Sequence, residues 1–262
     1  MKHEIIDFHT HPYIEQKNSI CRYKSVYQMD VSQAKEYLQG LGICKICGSV
    51  LEKFNTLPIW SDIQRLNDEA LRLKENYGDF YVPGFHVHAK FPRESILEIE
   101  RMEKAGIKLV GELVPYSHGW DYGDEGFEEI LQALDEKKMI VSFHSTGGSR
   151  GSMDAIDAMV ARHPRITFVA AHPGENETYL HHLDRMEKNP NYYLDLSGTG
   201  LFRLGMLYYG IQKVGSKRFL FGTDFPVCDP AMYVGSIIND FCLSEEDKVN
   251  ILYKNAQKLL NA

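Results

Sequence analysis

The chain has 262 residues, 44% hydrophobic and 25% charged, with 21 glycines and 10 prolines. That balance suits one folded domain over 1–262 and excludes collagen-like and disordered chains. Its 29 basic residues against 36 acidic ones give a formal net charge of -7 with no long basic run, which argues against a nucleic-acid groove.

The predicted elements alternate between short apolar segments and longer amphipathic ones. Glu4 to His9 (EIIDFH) opens as a strand, and its two acids break the apolar run that a secretory leader would need. Pro12 to Asp30 has no clear period and carries Tyr13, Ile14, Cys21, Arg22, Tyr23 and Tyr27. It is expected to be a lid or substrate wall, with Tyr23 among the substrate contacts. Cys44 to Val50 (CKICGSV) is the second strand. Cys44 and Cys47 stand three apart and face opposite sides of it, which disfavours a redox pair or a zinc site. In the following helix Ile63, Leu66, Ala70 and Leu73 recur at three and four residues, and Gly78 ends it.

Asp79 to Ala89 is the third strand. A helix from Pro92 follows, with Ile96, Ile99 and Met102 on one stripe and Gly106 at its end. Ile107 to Pro115 and Met139 to Ser145 are the fourth and fifth strands, and the next helix takes Ser152 as its N-cap and stops before Pro164. Ile166 to Gly174, Tyr192 to Gly198 and Arg218 to Pro226 complete the strands. The last helix begins with Ser244 and Asp247 in a capping arrangement and would close the ring against the first. No stretch approaches the roughly 18 apolar residues of a membrane span. The five cysteines, at 21, 44, 47, 228 and 242, are an odd number in a chain too long to need disulfides, so reduced thiols and a cytoplasmic location are expected.

Eight such passages in 262 residues make about 33 residues per unit, the spacing of an α/β fold of the (β/α)8 TIM barrel type. A doubly wound open sheet is the rival. No GxGxxG follows the first strand, and polar strand ends are spread along the whole sequence rather than gathered at one switch point.

Those polar strand ends carry the chemistry. His9 and His11 in DFHTHP share one side of the first strand by its period of two, and two neutral imidazoles so placed suit a divalent ion, with Asp7 as buried support. Glu112 ends the fourth strand, His144 the fifth, His172 the sixth and Asp224 the eighth. Burying each without compensation is costly, and a metal supplies that compensation. A competing pair, His86 and His88, also shares a strand face; His88 is a candidate substrate contact, and His86 is expected to pack inside. Gly147, Gly148 and Arg150 after His144 form a candidate anion-receiving loop. His118 and Trp120 after Glu112 could line an organic substrate.

DFHTHP, VSFH, AAHPG and FGTDFP together resemble the amidohydrolase superfamily, in its amidohydrolase-related branch and with TatD-type enzymes as close relatives. The resemblance spans essentially the whole chain. It implies a barrel with one or two divalent metals above the strands and carries over to His9, His11, His144, His172 and Asp224. Glu112 matches the TatD-type glutamate that can bridge two ions, whereas FGTDFP and SFHSTGG depart from TatD wording.

The expectation is therefore a metal-dependent hydrolase of the amidohydrolase type, with zinc as the ion, acting on a small amide, ester, lactone or phosphoester. A divalent ion would activate water, Asp224 would accept its proton, His172 would hold a second ion or stabilise charge, and Glu112 would bridge ions or orient the nucleophile. Two alternatives stand beside it: metal-dependent decarboxylation of an aromatic or unsaturated acid without hydrolysis, and a barrel with a non-catalytic metal. The expected partner is a small-molecule substrate, with no nucleic acid and no membrane; self-association is left open.

Overall fold

The computed structural model describes residues 3–21, 27–145, 150–200 and 203–261, and of residues 150–152 the backbone alone. Eight parallel strands pair in chain order: β1 (Ile5–Asp7), β2 (Ile43–Ser49), β3 (Tyr81–Phe85), β4 (Leu109–Leu113), β5 (Ile140–His144), β6 (Thr167–Ala171), β7 (Tyr192–Asp195) and β8 (Phe219–Leu220). Backbone bonds close the ring between the last strand and the first. Phe8 N–H donates to Phe221 O at 2.8 Å, Asp224 N–H to His9 O at 2.8 Å and His11 N–H to Phe225 O at 2.7 Å. The fold is the expected (β/α)8 barrel.

The helices among the described residues are α1 (Val31–Gly40), α2 (Trp60–Tyr77), α3 (Pro92–Lys104), α4 (Pro115–His118), α5 (Glu125–Glu136), α6 (Arg150–Arg162), α7 (Asn176–Lys188), α8 (Met206–Val214), α9 (Pro230–Ile238), α10 (Glu245–Val249) and α11 (Asn255–Leu260). α2 buries Ile63, Leu66, Ala70 and Leu73 as its period requires, and ends at Gly78. α3 differs from the expected stripe. It buries Ser95 and Glu98 beside Ile99 and Met102, while Ile96 is only half-buried. The polar pair is tolerated because Ser95 Oγ accepts from His88 N–H at 2.9 Å and Glu98 Oε1 accepts from Asn67 Nδ2 at 2.9 Å. α6 begins at Arg150, so Ser152 lies within the helix rather than at its cap. Ser244 and Asp247 form the expected capping box.

Aromatic rings pack strands on one another and the loop after α4 on α5. Phe143 packs on Phe168 and Tyr192, each pair with ring centres 6.2 Å apart, and Trp120 packs on Phe127 at 4.8 Å. Full burial of such a side chain contributes roughly 1.5–3 kcal/mol. Cys47 is buried and Cys44 exposed, on opposite sides of β2, and the cysteines are free thiols. No helix of the described residues is long and apolar enough to cross a membrane.

Every strand lies where the sequence places it but stops sooner. β6 ends at Ala171, after which His172 enters the left-handed region at φ 68°; beyond β8, Asp224 does the same at φ 64°. A left-handed backbone costs a non-glycine residue roughly 1–2 kcal/mol. These turns take the side chains off the strand ladder and direct them across the barrel's mouth.

Candidate metal centre

His9 and His11 follow β1, Glu112 lies in β4, His144 ends β5, His172 follows β6 and Asp224 follows β8. The structure brings all six together. His9 Nε2 is 3.3 Å from His11 Nε2, and 3.6 Å from both Glu112 Oε2 and Asp224 Oδ1. His11 Nε2 is 3.4 Å from the same two carboxylate oxygens. Donors about 2.0–2.2 Å from one ion stand roughly 3.0–3.6 Å apart, so these separations are those of a ligand cage. Glu112 turns its other oxygen, Oε1, to a second set: His144 Nδ1 at 2.9 Å and His172 Nε2 at 3.4 Å.

The imidazoles are aimed by partners behind them. His9 Nδ1–H donates to Asp195 Oδ2 at 2.9 Å, and His11 Nδ1–H donates to the Ser49 carbonyl at 3.0 Å. His172 Nδ1 faces the carbonyl and hydroxyl oxygens of Ser197 at 3.2 and 3.0 Å, while that hydroxyl bonds to Asp195 Oδ1. In these three rings Nδ1 is engaged and Nε2 points inward, the tautomer a metal ligand needs, whereas His144 turns Nδ1 to Glu112. Asp7 supports the backbone instead. It accepts from Thr223 Oγ1 at 2.6 Å, Thr223 N–H at 3.0 Å and His9 N–H at 3.2 Å, tying the first strand to the loop that carries Asp224.

At His9, His11, Glu112 and Asp7 burial opposes charge, and nearby opposite charge decides which of them ionise. On His9 burial is outweighed by Asp195 and Glu112, which hold its imidazole well above the ordinary histidine value. Burial also disfavours charged His11, but Asp224 and Glu112 push it up to about 9. Glu112 is buried yet held well below the usual carboxylate range by His9, His11 and His144. Asp7, without a cation of comparable reach, is pushed by burial up to about 7. Inward nitrogens with high proton affinity beside ionised carboxylates are a donor set that fits a divalent ion.

His11, Glu112, His144, His172 and Asp224 form the floor of a cavity of about 730 Å³ whose walls include Leu51, Phe54, Val114, Tyr116, Met232 and Tyr233. The ring of Tyr116 meets that of His144 with centres 5.1 Å apart. Ile20, from the long loop after β1, reaches this wall. Other parts of that loop, with α1, border a second cavity of about 770 Å³ that shares Val227, Cys228 and Asp229 but contains none of the six clustered residues.

The remaining candidates lie elsewhere. His88 is buried with both ring nitrogens engaged, Nε2 by His118 O at 3.1 Å and Nδ1 by Lys90 N–H at 3.1 Å. It packs beside Trp120, itself buried against Phe127, and neither borders the cavity. His118 is buried among His86, His88 and Phe54. His86 donates from Nε2 to Val50 O at 2.7 Å and stays inside, as expected. Tyr23, Gly147, Gly148 and the side chain of Arg150 lie outside the described residues. Asp195, Ser49 and Ser197 escaped the sequence reading, although Asp195 ends an apolar strand just as the other site residues do.

A family model described as Amidohydrolase matches residues 6–262. No curated protein matches the sequence significantly. Solved structures resemble it over nearly its whole length. A 2,6-dihydroxybenzoate decarboxylase from Rhizobium has a TM-score of 0.78 at 15% identity, covering 99% of each chain. A 5-carboxyvanillate decarboxylase from Sphingomonas paucimobilis has a TM-score of 0.74 at 14% identity, covering 98% of this chain and 99% of its own. The corresponding enzyme from Novosphingobium aromaticivorans, complexed with manganese and 4-hydroxy-3-methoxy-5-nitrobenzoic acid, has a TM-score of 0.73 at 14% identity, covering 99% of this chain and 96% of its own.

These likenesses establish the fold, and they correct two expectations. Hydrolysis and zinc were inferred from the motifs, yet similar barrels are named for decarboxylation and one carries manganese. The motifs encode a nitrogen and oxygen cage on a barrel, which specifies neither the bond broken nor one ion among several. Nothing in the comparisons supports the TatD-like part of the resemblance.

Proposed function

The chain belongs to the amidohydrolase family, and within it we propose that this protein removes carbon dioxide, without hydrolysis, from an aromatic or unsaturated carboxylic acid with the help of a divalent ion. The observation that carries this reading is the position of the histidine–carboxylate cluster at the floor of a cavity walled by Phe54, Tyr116, Tyr233 and aliphatic side chains. Such a cavity takes a flat organic body and brings its acid group to the ion. The names of the similar barrels agree with it.

His9, His11 and Glu112 would hold the ion, with Asp224 beside it; manganese is the ion we favour. When bound, the ion supplies an electrophile that draws charge from the substrate's oxygens. Asp224 borders both the cluster and the cavity and would deliver a proton to the carbon bearing the carboxylate. The carbon–carbon bond then breaks, its electron pair returns to the substrate's unsaturated system, carbon dioxide leaves, and Asp224 regains a proton from solvent. One proton is consumed per turnover, and no oxidant or water nucleophile is needed. His144 and His172, on the other oxygen of Glu112, would position the acid group; a second ion between them is the alternative that the two faces of Glu112 favour. Free thiols throughout fit a reducing, cytoplasmic setting.

Incubating the Mn²⁺-loaded protein with hydroxybenzoates, methoxybenzoates and unsaturated diacids while recording carbon dioxide tests the proposal. Release from at least one acid, abolished by chelation, is expected. Cleavage of ester or amide panels with no carbon dioxide from any acid would contradict it.

A further inference from the structure

Behind the metal centre runs a buried chain of polar groups that the proposed reaction does not use. Ser145 follows His144 at the end of β5, and His172 follows Ala171 at the end of β6; the two strands are in register there, His144 opposite Ala171. Ser145 Oγ bonds to the Ala171 carbonyl, lies 3.4 Å from the His172 carbonyl and is 3.2 Å from His182 Nε2. His182, on α7, is wholly buried, and its Nδ1 is 2.8 Å from the hydroxyl of Tyr192 on β7.

The proton positions follow from counting donors. Ser145 has one hydroxyl proton, which goes to the Ala171 carbonyl, so Ser145 Oγ accepts from His182 Nε2–H. His182 Nδ1 then carries no proton and accepts from Tyr192 O–H. Burial keeps His182 neutral, with Arg185 also opposing a charge there, so it has one N–H to give. The chain thus runs Tyr192 to His182 to Ser145 to the Ala171 carbonyl, each bond of fixed direction.

We propose that His182 is a positioning residue for the metal centre: through Ser145 it holds the backbone just after His144 and just before His172, so that both imidazoles meet Glu112 Oε1. The need is physical. His172 has a left-handed backbone at φ 68°, a conformation that persists only where its surroundings impose it. Ser197 engages the ring of His172 at Nδ1, and Ser145 fixes the Ala171 carbonyl, which belongs to the peptide that leads into His172. His144 stands one residue before the same hydroxyl. Removal of the His182 N–H frees that hydroxyl to turn away from the Ala171 carbonyl, and both rings lose their common reference. This inference rests on the metal centre and not on the reaction assigned to it.

Asparagine and glutamine separate this role from packing. A glutamine amide reaches the place of Nε2 and can donate to Ser145, whereas asparagine reaches only the place of Nδ1, and phenylalanine fills the space with no donor. The metal-stripped full-length protein and its His182→Gln, His182→Asn and His182→Phe variants are titrated with Mn²⁺, free ion being read by electron paramagnetic resonance. The expected result is weakening of Mn²⁺ binding by about tenfold or more in His182→Asn and His182→Phe, with His182→Gln restored to within about threefold of the unaltered protein. Far-ultraviolet circular dichroism and melting temperature accompany each titration. Affinities that follow melting temperature alone, or a glutamine variant no better than phenylalanine, would overturn the proposal, as would an unaltered protein that takes up no Mn²⁺. Turnover does not enter the measurement, so failure of the proposed decarboxylation leaves it decisive.

Discussion

His9 donates its Nδ1 proton to Asp195 across 2.9 Å, although 186 residues separate the two in sequence. The contact joins the loop after β1 to the end of β7, and both partners are buried. It fixes the His9 tautomer, adds negative charge behind the ring and leaves Nε2 as the donor. Asp195 also binds the Ser197 hydroxyl that faces His172. One carboxylate therefore orients two of the imidazoles that meet over Glu112.

From this follows the effect of Asp195→Asn. The amide keeps the shape but loses the charge, and competes for the His9 proton with an N–H of its own. Binding of Mn²⁺ should weaken by about 10- to 100-fold, measured by equilibrium dialysis with metal analysis. Retention of full affinity would show that Asp195 serves folding alone.

The two His-x-His pairs are distinguished by the nitrogens they present. His11 offers Nε2 to the cluster, whereas His86 spends its Nε2 on the Val50 carbonyl. His11→Ala should lose most bound metal after gel filtration in Mn²⁺, and His86→Ala should keep it while losing stability. Equal retention would assign the centre to neither pair.

How much of this was legible beforehand depends on what sets each feature. Strand positions came from local apolar runs, and the order of eight from their spacing, so the barrel could be inferred. Glu112, His144, His172 and Asp224 stood out because each is a polar residue ending such a run. Asp195 has the same signature in YYLDLSG, yet with an apolar residue and a serine after it, nothing in the local pattern marks it as a partner of His9. The assignment of His88 and Trp120 to substrate assumed that every residue after a strand faces the mouth. In the structure both are buried instead: His88 finds backbone partners in Lys90 and His118, and Trp120 finds the ring of Phe127. Hydrolysis and zinc were inferred from motif wording, which describes the cage rather than the substrate placed in it.

His118 and His182 should make stability fall in mild acid. Burial lowers each to about 3, against about 6.5 in the unfolded chain. Between those values the unfolded state binds the proton and the folded state does not, so stability rises with pH across the window and is lost as pH falls below about 6.5. Each contributes a slope of up to about 1.4 kcal/mol per pH unit. Urea unfolding between pH 6.5 and 4 should show a shallower dependence in His182→Gln than in the unaltered protein. Identical slopes would mean that His182 is protonated in the fold.

Gly198 lies against His172. Its φ is 62°, and an added Cβ would overlap the His172 ring at Nδ1. Gly198→Ala should therefore displace that ring and reduce Mn²⁺ affinity, with a stability cost of roughly 1–2 kcal/mol from the left-handed backbone. Thermal melting and Mn²⁺ titration of the same preparation separate the two effects; an unchanged affinity would place His172 outside the centre.

Asp224 as proton carrier predicts that Asp224→Asn, loaded with Mn²⁺ to the same content, loses kcat by about 10²- to 10⁴-fold. A variant with full metal and full turnover would transfer the role to another group. Metal content is measured first, because loss of the ion would give the same drop in rate.

The central claim, that the centre breaks a carbon–carbon bond without water attack, is tested most directly by turnover in doubly labelled water, ²H₂¹⁸O, on an acid that the Mn²⁺ protein consumes. The account predicts one deuterium at the vacated carbon for each carbon dioxide released, and no ¹⁸O in the organic product. Incorporation of ¹⁸O into that product, with no carbon dioxide formed, would contradict it.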